Sequence, residues 1–431
     1  MSVLQTIIDA HFAGHRVGIY SVCCSNEYVL RAAMQVARDY DTPLLIEATS
    51  NQVDQFGGYT GMTPGSFRGY VEQLAAQQGF ARERIVLGGD HLGPNAWQHL
   101  PADQAMSHAR DLIAAYVEAG FEKIHLDCSM ACADDIAPLS DETVAVRSAV
   151  LAEVGEASAA RLGIPAPVYV IGTEVPIPGG EASLAEGVAV TTPAAAINTL
   201  EIHRQAFQVA GLDAAWQRVL AMVVQPGVDF DHSQVQHYSS AAAAALSNLV
   251  ASFPRMVFEA HSTDYQTEAA LHQMVHDHFA ILKVGPAATF ALRAAWFALA
   301  AIEDVLVPIE RRSHLVEVLN RSMLDKPGHW QKHYVGTHDE QRVLRQFAFS
   351  DRCRYYWGDA AVDAALQRLI SNLNALELPL PLIAQYLPEQ YPAVMQGLLA
   401  ASAVALAEHK VTQLLAQYAR ACARNQMEDA S

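Results

Sequence analysis

The chain is poor in features that would mark a secreted, membrane-bound or nucleotide-binding protein. Its six cysteines (Cys23, Cys24, Cys128, Cys132, Cys353 and Cys422) include no C-x-x-C pair. Cys128 and Cys132 lie four apart, and no second pair completes a zinc ribbon, so reduced thiols in a cytoplasmic protein are expected. Basic residues are scarce: 28 Lys and Arg stand against 46 Asp and Glu, a net charge of −18 with the acids scattered along the chain. Such a surface repels nucleic acid and anionic lipid, so neither is expected as a partner. The longest apolar runs, such as residues 241–246, fall far short of the roughly 20 residues of a membrane span. The first residues, MSVLQTIIDAHFAGHRVG, have neither the apolar core nor the cleavage site of a signal peptide. G-x-G-x-x-G and G-x-x-x-x-G-K-[ST] are both missing, which weakens open-sheet nucleotide-binding folds and leaves no nucleotide expected as cofactor.

What is present is a large apolar fraction, 51% of 431 residues, with 17% charged. That is enough for a sizeable core, arranged as one barrel of about 250–300 residues with an extension or as two ordinary domains. Eight short apolar runs recur along the chain: residues 17–24, 43–50, 85–91, 123–129, 168–174, 219–226, 256–262 and 279–286. Each is nearly continuous in apolar residues, as a strand buried on both faces is, and helical patterns separate them. Residues 26–40 have apolar groups at helical spacing, and 63–78 open with Thr63-Pro64, a cap followed by proline in the first turn. Eight βα units in series predict an α/β fold, a closed TIM (β/α)8 barrel, over residues 1–307. From 308 to 431 only helical patterns appear, broken by prolines and glycines, which predicts an all-helical C-terminal extension.

In a TIM barrel the chemistry lies at the C-terminal ends of the strands. Here those ends carry Ser21 and Ser25, Glu47 and Ser50, Asp90 and His91, His125 and Asp127, Thr173 and Glu174, Gln225, Glu259 and His261, and Lys283. Any one of these has a purely structural reading, and Glu47 in particular could be an internal ion-pair partner. Their convergence at one mouth argues for a functional site. Two histidines and a glutamate on different strands suit a divalent metal such as zinc, with a position left open for substrate oxygens. Asp90, beside His91, is the candidate acid/base. For phosphate, residues 279–289 run from the last strand into a helix, a common phosphate site in these barrels. Lys283 or Arg293 would supply the charge there, unless both pair with acids. The glycine-rich loop 56–61 serves either close approach to a ligand or a turn.

Longer strings add a resemblance. Residues 46–63 (IEATSNQVDQFGGYTGMT), 87–97 (LGGDHLGPNAW), 123–130 (KIHLDCSM), 170–182 (VIGTEVPIPGGEA), 224–233 (VQPGVDFDHS), 259–266 (EAHSTDYQ) and 350–357 (SDRCRYYW) resemble the Z-type subunits of D-tagatose-1,6-bisphosphate aldolase, those of the galactitol and N-acetylgalactosamine pathways. The resemblance runs over essentially the whole chain. It implies a non-catalytic, chaperone-like partner required for full activity and stability of the catalytic Y subunit, a class II zinc aldolase. The pathway implied is D-tagatose 6-phosphate degradation to glycerone phosphate and D-glyceraldehyde 3-phosphate.

More distantly, the chain resembles class II aldolases themselves. On that resemblance Asp90 is the acid/base, and His91, Glu174 and His261 hold the metal, with Asp127 as a further metal residue. Lys283 and Thr289 would bind substrate phosphate on the same resemblance, although Thr289 falls one position beyond the family's Thr and Gly285 replaces its Asn; Ser50, at its strand end, and Arg293, in the last barrel helix, are further substrate- or phosphate-binding candidates. The pattern departs at strand six, where an aldolase has a zinc His. Here the strand ends Gln225-Pro226-Gly227 and the nearest histidine is His232, so either Gln225 or His232 is left to complete the sphere. The alternative function is a metal-dependent 4-epimerase of tagatose 6-phosphate or a related ketose phosphate. A kinase, for which no phosphate-cradling motif exists, ranks far behind.

Overall fold

The computed structural model describes residues 2–172, 187–253 and 255–423. All eight expected runs form strands: β1 (Ile19–Val22), β2 (Leu44–Thr49), β3 (Ile85–Leu92), β4 (Lys123–Leu126), β5 (Val168–Ile171), β6 (Val219–Val224), β7 (Val257–Ala260) and β8 (Phe279–Val284). Each pairs in parallel with its neighbours, and β8 returns to β1 in register Ile19↔Ile281 through Val22↔Val284, closing the barrel. Every strand but β3 is a little shorter than its sequence run, because the polar residues at the run's end already leave the ladder. A short hairpin, Asp229–Phe230 with Val235–Gln236, follows β6.

The helices start where their capping chemistry dictates. The side chain of Asn26 accepts from the Tyr28 N–H ahead of helix Glu27–Asp39. Thr63 caps helix Pro64–Gln78, which ends on Gly79 at φ 62°.

Two features confine chemistry to one end of the barrel. At the strand starts, Leu45, Val86, Val168, Leu220 and Ile281 fill the interior, and Leu4 and Ile8 of helix Val3–Ala10 pack into the same cluster and plug that end. Above this layer the interior turns ionic. Lys123 contacts Glu47 and lies 2.8 Å from Glu259, while Lys283 contacts Glu47 and lies 2.7 Å from Asp90 and 3.7 Å from Glu259. These are close ion pairs rather than well-angled hydrogen bonds at Lys123. Gly88 makes room for them: a Cβ there would stand 2.7 Å from the Glu47 Cγ. Glu47 is thus the internal ion-pair partner that its sequence context allowed.

Beyond helix Pro286–Leu306 the chain is helical, as expected. The final helix, Ala403–Cys422, packs on helices Glu27–Asp39, Glu268–His276 and Pro286–Leu306. Its end accepts from the Gly18 N–H at the Cys422 carbonyl (3.0 Å), and the Tyr418 hydroxyl donates to the Thr263 carbonyl (2.7 Å). A buried pair, Arg293 with Asp351 at 2.7 Å, ties the barrel's last helix to segment 350–357. Among the described residues no helix is long and apolar enough to cross a membrane.

Candidate metal centre and substrate cavity

The site is built from the ends of β3, β4 and β7. Pairing between β3 and β4 shifts register between Gly89 and Leu92, and a bulge of this kind re-aims the side chains it carries. His91, within it, takes the left-handed conformation (φ 50°), as does Ser262 after β7 (φ 53°). Backbone strain of this sort in non-glycine residues gathers at functional sites.

Asp90, His91, His125 and His261 each place a donor atom so that all four lie within 4.8 Å of one another. The outer nitrogens of two imidazoles are tied down by carboxylates: His91 Nδ1 lies 2.7 Å from Asp127, and His261 Nε2 lies 3.0 Å from Glu259. Their inner nitrogens face the cluster. His91 Nε2 is 3.8 Å from Asp90, and His261 Nδ1 is buried without a hydrogen-bond partner. His125 is engaged on both sides, 3.0 Å from Asp90 at Nδ1 and 3.3 Å from the Gly172 carbonyl at Nε2. Asp127 is steadied in turn by the Ser129 hydroxyl, which donates to it at 2.6 Å.

This donor set fits a divalent transition metal. Histidines oriented by a carboxylate on the far nitrogen are the usual outer arrangement of zinc-type sites, and the orphaned His261 Nδ1 is a ligand atom in search of a partner. The electrostatics agree. Burial alone would lower the His91 pKa, but Asp90 and Asp127 outweigh it and raise the pKa to about 9. Burial would raise that of Asp90, yet His91, His125 and His261 hold it well below the ordinary carboxylate range. Both shifts express one attraction, the carboxylates favouring a positive charge on His91 and the imidazoles favouring the anion on Asp90.

The family model for the D-tagatose-1,6-bisphosphate aldolase subunit GatZ/KbaZ-like matches residues 4–423. The chain belongs to this family. Among solved structures it is similar to a probable tagatose 6 phosphate kinase from Sinorhizobium meliloti 1021, at 47% identity and TM-score 0.87 over 94% of this chain and 100% of that one. Two further matches are the YdjI aldolase from Escherichia coli K12 (11% identity, TM-score 0.43, 87% of this chain and 100% of that one) and a fructose-bisphosphate aldolase from Campylobacter jejuni (12%, TM-score 0.46, 87% and 95%).

Within this GatZ/KbaZ-like chain the sequence candidates separate into two groups. Asp90, His91, Asp127, His261 and Lys283 all line one cavity at the barrel mouth. The other candidates among the described residues do not line it. Ser50 is buried and its N–H donates to the Asp90 carbonyl at 3.2 Å. Gln225 turns its Oε1 back to the N–H groups of Gly227 and Val228. His232 bonds Ser350 and the His333 carbonyl, packed against the C-terminal segment. Neither strand-six candidate therefore reaches the cluster, and Glu174 lies outside the described residues.

The phosphate expectation shifts as well. Thr289 donates to the Pro286 carbonyl at 3.1 Å, and Arg293 is committed to Asp351 and lies over the Phe290 ring. The start of helix Pro286–Leu306 already holds an anion of the chain's own. Asp264 accepts from the N–H groups of Gly285 and Ala287 at 3.0 and 2.7 Å. Burial raises its pKa to about 6, the two N–H groups offsetting only part of that.

Three residues of the site lie outside the ligand and substrate sets expected from the sequence. His125 was visible as a strand-end residue two positions before Asp127, on the same face of β4, and only the fold shows that it closes the cluster. Arg354 and Tyr355 line the cavity from beyond the barrel, and no strand-end argument could find them.

Proposed function

We propose that this chain is itself an enzyme, a divalent-metal-dependent 4-epimerase of tagatose 6-phosphate or a closely related ketose phosphate. The observation that supports this reading is the pair of carboxylate-oriented histidines, His91 with Asp127 and His261 with Glu259, whose free nitrogens meet Asp90 inside a cavity. A subunit serving only as a scaffold has no need of such a constellation.

His91 and His261, with Asp90 at hand, would hold the metal, which when bound polarises the ketose carbonyl. The remaining work falls to the chain. Asp90 takes the proton of the C4 hydroxyl, the C3–C4 bond breaks, and its electron pair passes to C3, delocalised into the C2 carbonyl. The aldehyde half turns its other face, the bond re-forms, and Asp90 returns the proton to the C4 oxygen, so nothing is gained or lost. Lys283, 2.7 Å from Asp90, pairs with that carboxylate and holds it in place. The cavity walls keep the cleaved halves together.

Family membership supports a second reading, a partner subunit that raises the activity and half-life of a class II aldolase. The two separate cleanly when the chain is purified alone. The epimerase reading expects bound zinc or a similar ion and conversion of tagatose 6-phosphate to fructose 6-phosphate. The partner reading expects no turnover alone, with a longer half-life of the catalytic subunit when the two are mixed.

A further inference from the structure

Among the described residues, four basic side chains reach the cavity: His91, His261, Lys283 and Arg354. The two histidines belong to the metal cluster, and Lys283 is neutralised by Glu47 and Asp90. Arg354 differs in origin and in bonding. It comes from the segment after the barrel, and its guanidinium donates to the carbonyls of Ser350 and Asp351 and to the Tyr355 hydroxyl (2.8 Å), none of them a carboxylate. It keeps its charge and is half-buried at the mouth. An aromatic frame holds it in place. It lies 4.4 Å from the Tyr355 ring, which packs edge-on to Tyr59 (4.8 Å) and stacks on His329 (4.8 Å, 20°).

A second, independent group lines the same cavity. Ser262 is 1% exposed, sits in a strained backbone conformation, and its hydroxyl has no hydrogen-bond partner. A buried hydroxyl without a partner costs free energy, so a ligand acceptor is its natural complement. A cation with donors to spare and an unmatched hydroxyl donor together suit a phosphate monoester.

We infer that Arg354 and Ser262 bind the phosphate of the substrate, so that the region following the barrel, and not the loop after the last strand, supplies the phosphate subsite. This rests on the ketose-phosphate reading above. It explains how Asp264 can occupy the start of helix Pro286–Leu306 without competing with substrate.

The test uses the full chain with Arg354→Gln, Arg354→Lys and Ser262→Ala. Calorimetry with inorganic phosphate is the first readout, and KM and kcat for tagatose 6-phosphate and for free tagatose are the second. Loss of one charge-assisted contact weakens binding by about tenfold or more. Arg354→Gln should therefore raise the phosphate Kd and the KM for the phosphorylated sugar by that factor, sparing kcat and the free sugar. Arg354→Lys should fall between it and the wild type, and Ser262→Ala should weaken phosphate several-fold. Wild-type chain that fails to bind phosphate, an unchanged Kd in Arg354→Gln, or equal losses for both sugars would overturn the inference. If Arg354→Gln does not fold, the Lys and Ser262 variants decide. Arg354-dependent phosphate binding without turnover would sink the epimerase reading alone; turnover insensitive to Arg354 would sink this inference alone.

Discussion

Replacing Lys123 by Met is expected to be among the most destabilising single changes in the barrel. Lys123, Glu47 and Glu259 are all 0% exposed. One ammonium serves two carboxylates there, at 2.8 Å from Glu259 and in contact with Glu47. Counting carboxylates and ammoniums alone, the group with Asp90 and Lys283 carries three acids and two bases, so the substitution takes their formal charge from −1 to −2 in a buried setting. Removing one partner of a buried ion pair costs about 3–5 kcal/mol. Lys283 still touches Glu47 and lies 3.7 Å from Glu259, which places the expectation within that range rather than above it. For 431 residues the unfolding entropy makes each kcal/mol worth about 1 °C, so the thermal midpoint should fall by about 3–5 °C. Adding Glu47→Gln restores the formal charge to −1, and the double variant should recover at least about 1 kcal/mol relative to the sum of the single effects. Urea and thermal unfolding followed by circular dichroism measure both. A single variant costing under about 1 kcal/mol, or strict additivity, would refute the view that these charges are mutually dependent.

Three other outcomes are expected. His91→Ala combined with His261→Ala should abolish stoichiometric metal binding, read by elemental analysis, while the circular dichroism spectrum stays that of the wild type. With a His91 pKa of about 9, the metal must displace a proton at neutral pH. Affinity should therefore rise by up to about tenfold per pH unit as pH approaches 9, with proton release visible by calorimetry in buffers of different ionisation enthalpy. Asp264 has a folded pKa raised to about 6, so its contribution is fully present below its unfolded value, near 4, and is lost as pH rises through 6. Asp264→Asn should abolish this loss of up to about 3 kcal/mol between pH 4 and 7, seen as a pH-dependent gap in unfolding midpoints.

The barrel was legible because both of its signals are local. Doubly buried parallel strands read as continuous apolar runs, and Asn26 and Thr63-Pro64 mark helix starts by their own side chains. The mouth was partly legible for the same reason: a strand that ends in Asp90-His91 or Glu259-Ala260-His261 must present those groups at one end of a closed barrel. What the sequence hides is pairing across distance. Whether Lys283 meets a phosphate or Glu47 and Asp90, whether Arg293 faces the cavity or Asp351, and which strand supplies a further donor all depend on residues tens to hundreds of positions away. Arg354 is the extreme case, placed at the mouth by the packing of a segment outside the βα rhythm.

On the proposed function, the isolated chain catalyses chemistry at its own metal centre. The most direct measurement adds tagatose 6-phosphate to the purified, zinc-loaded chain, with no aldolase subunit present, and follows the sugar by 13C NMR. Fructose 6-phosphate is expected to appear, and to be lost on chelation and in the His91→Ala, His261→Ala variant. Unchanged tagatose 6-phosphate over a prolonged incubation with the zinc-loaded chain would contradict it.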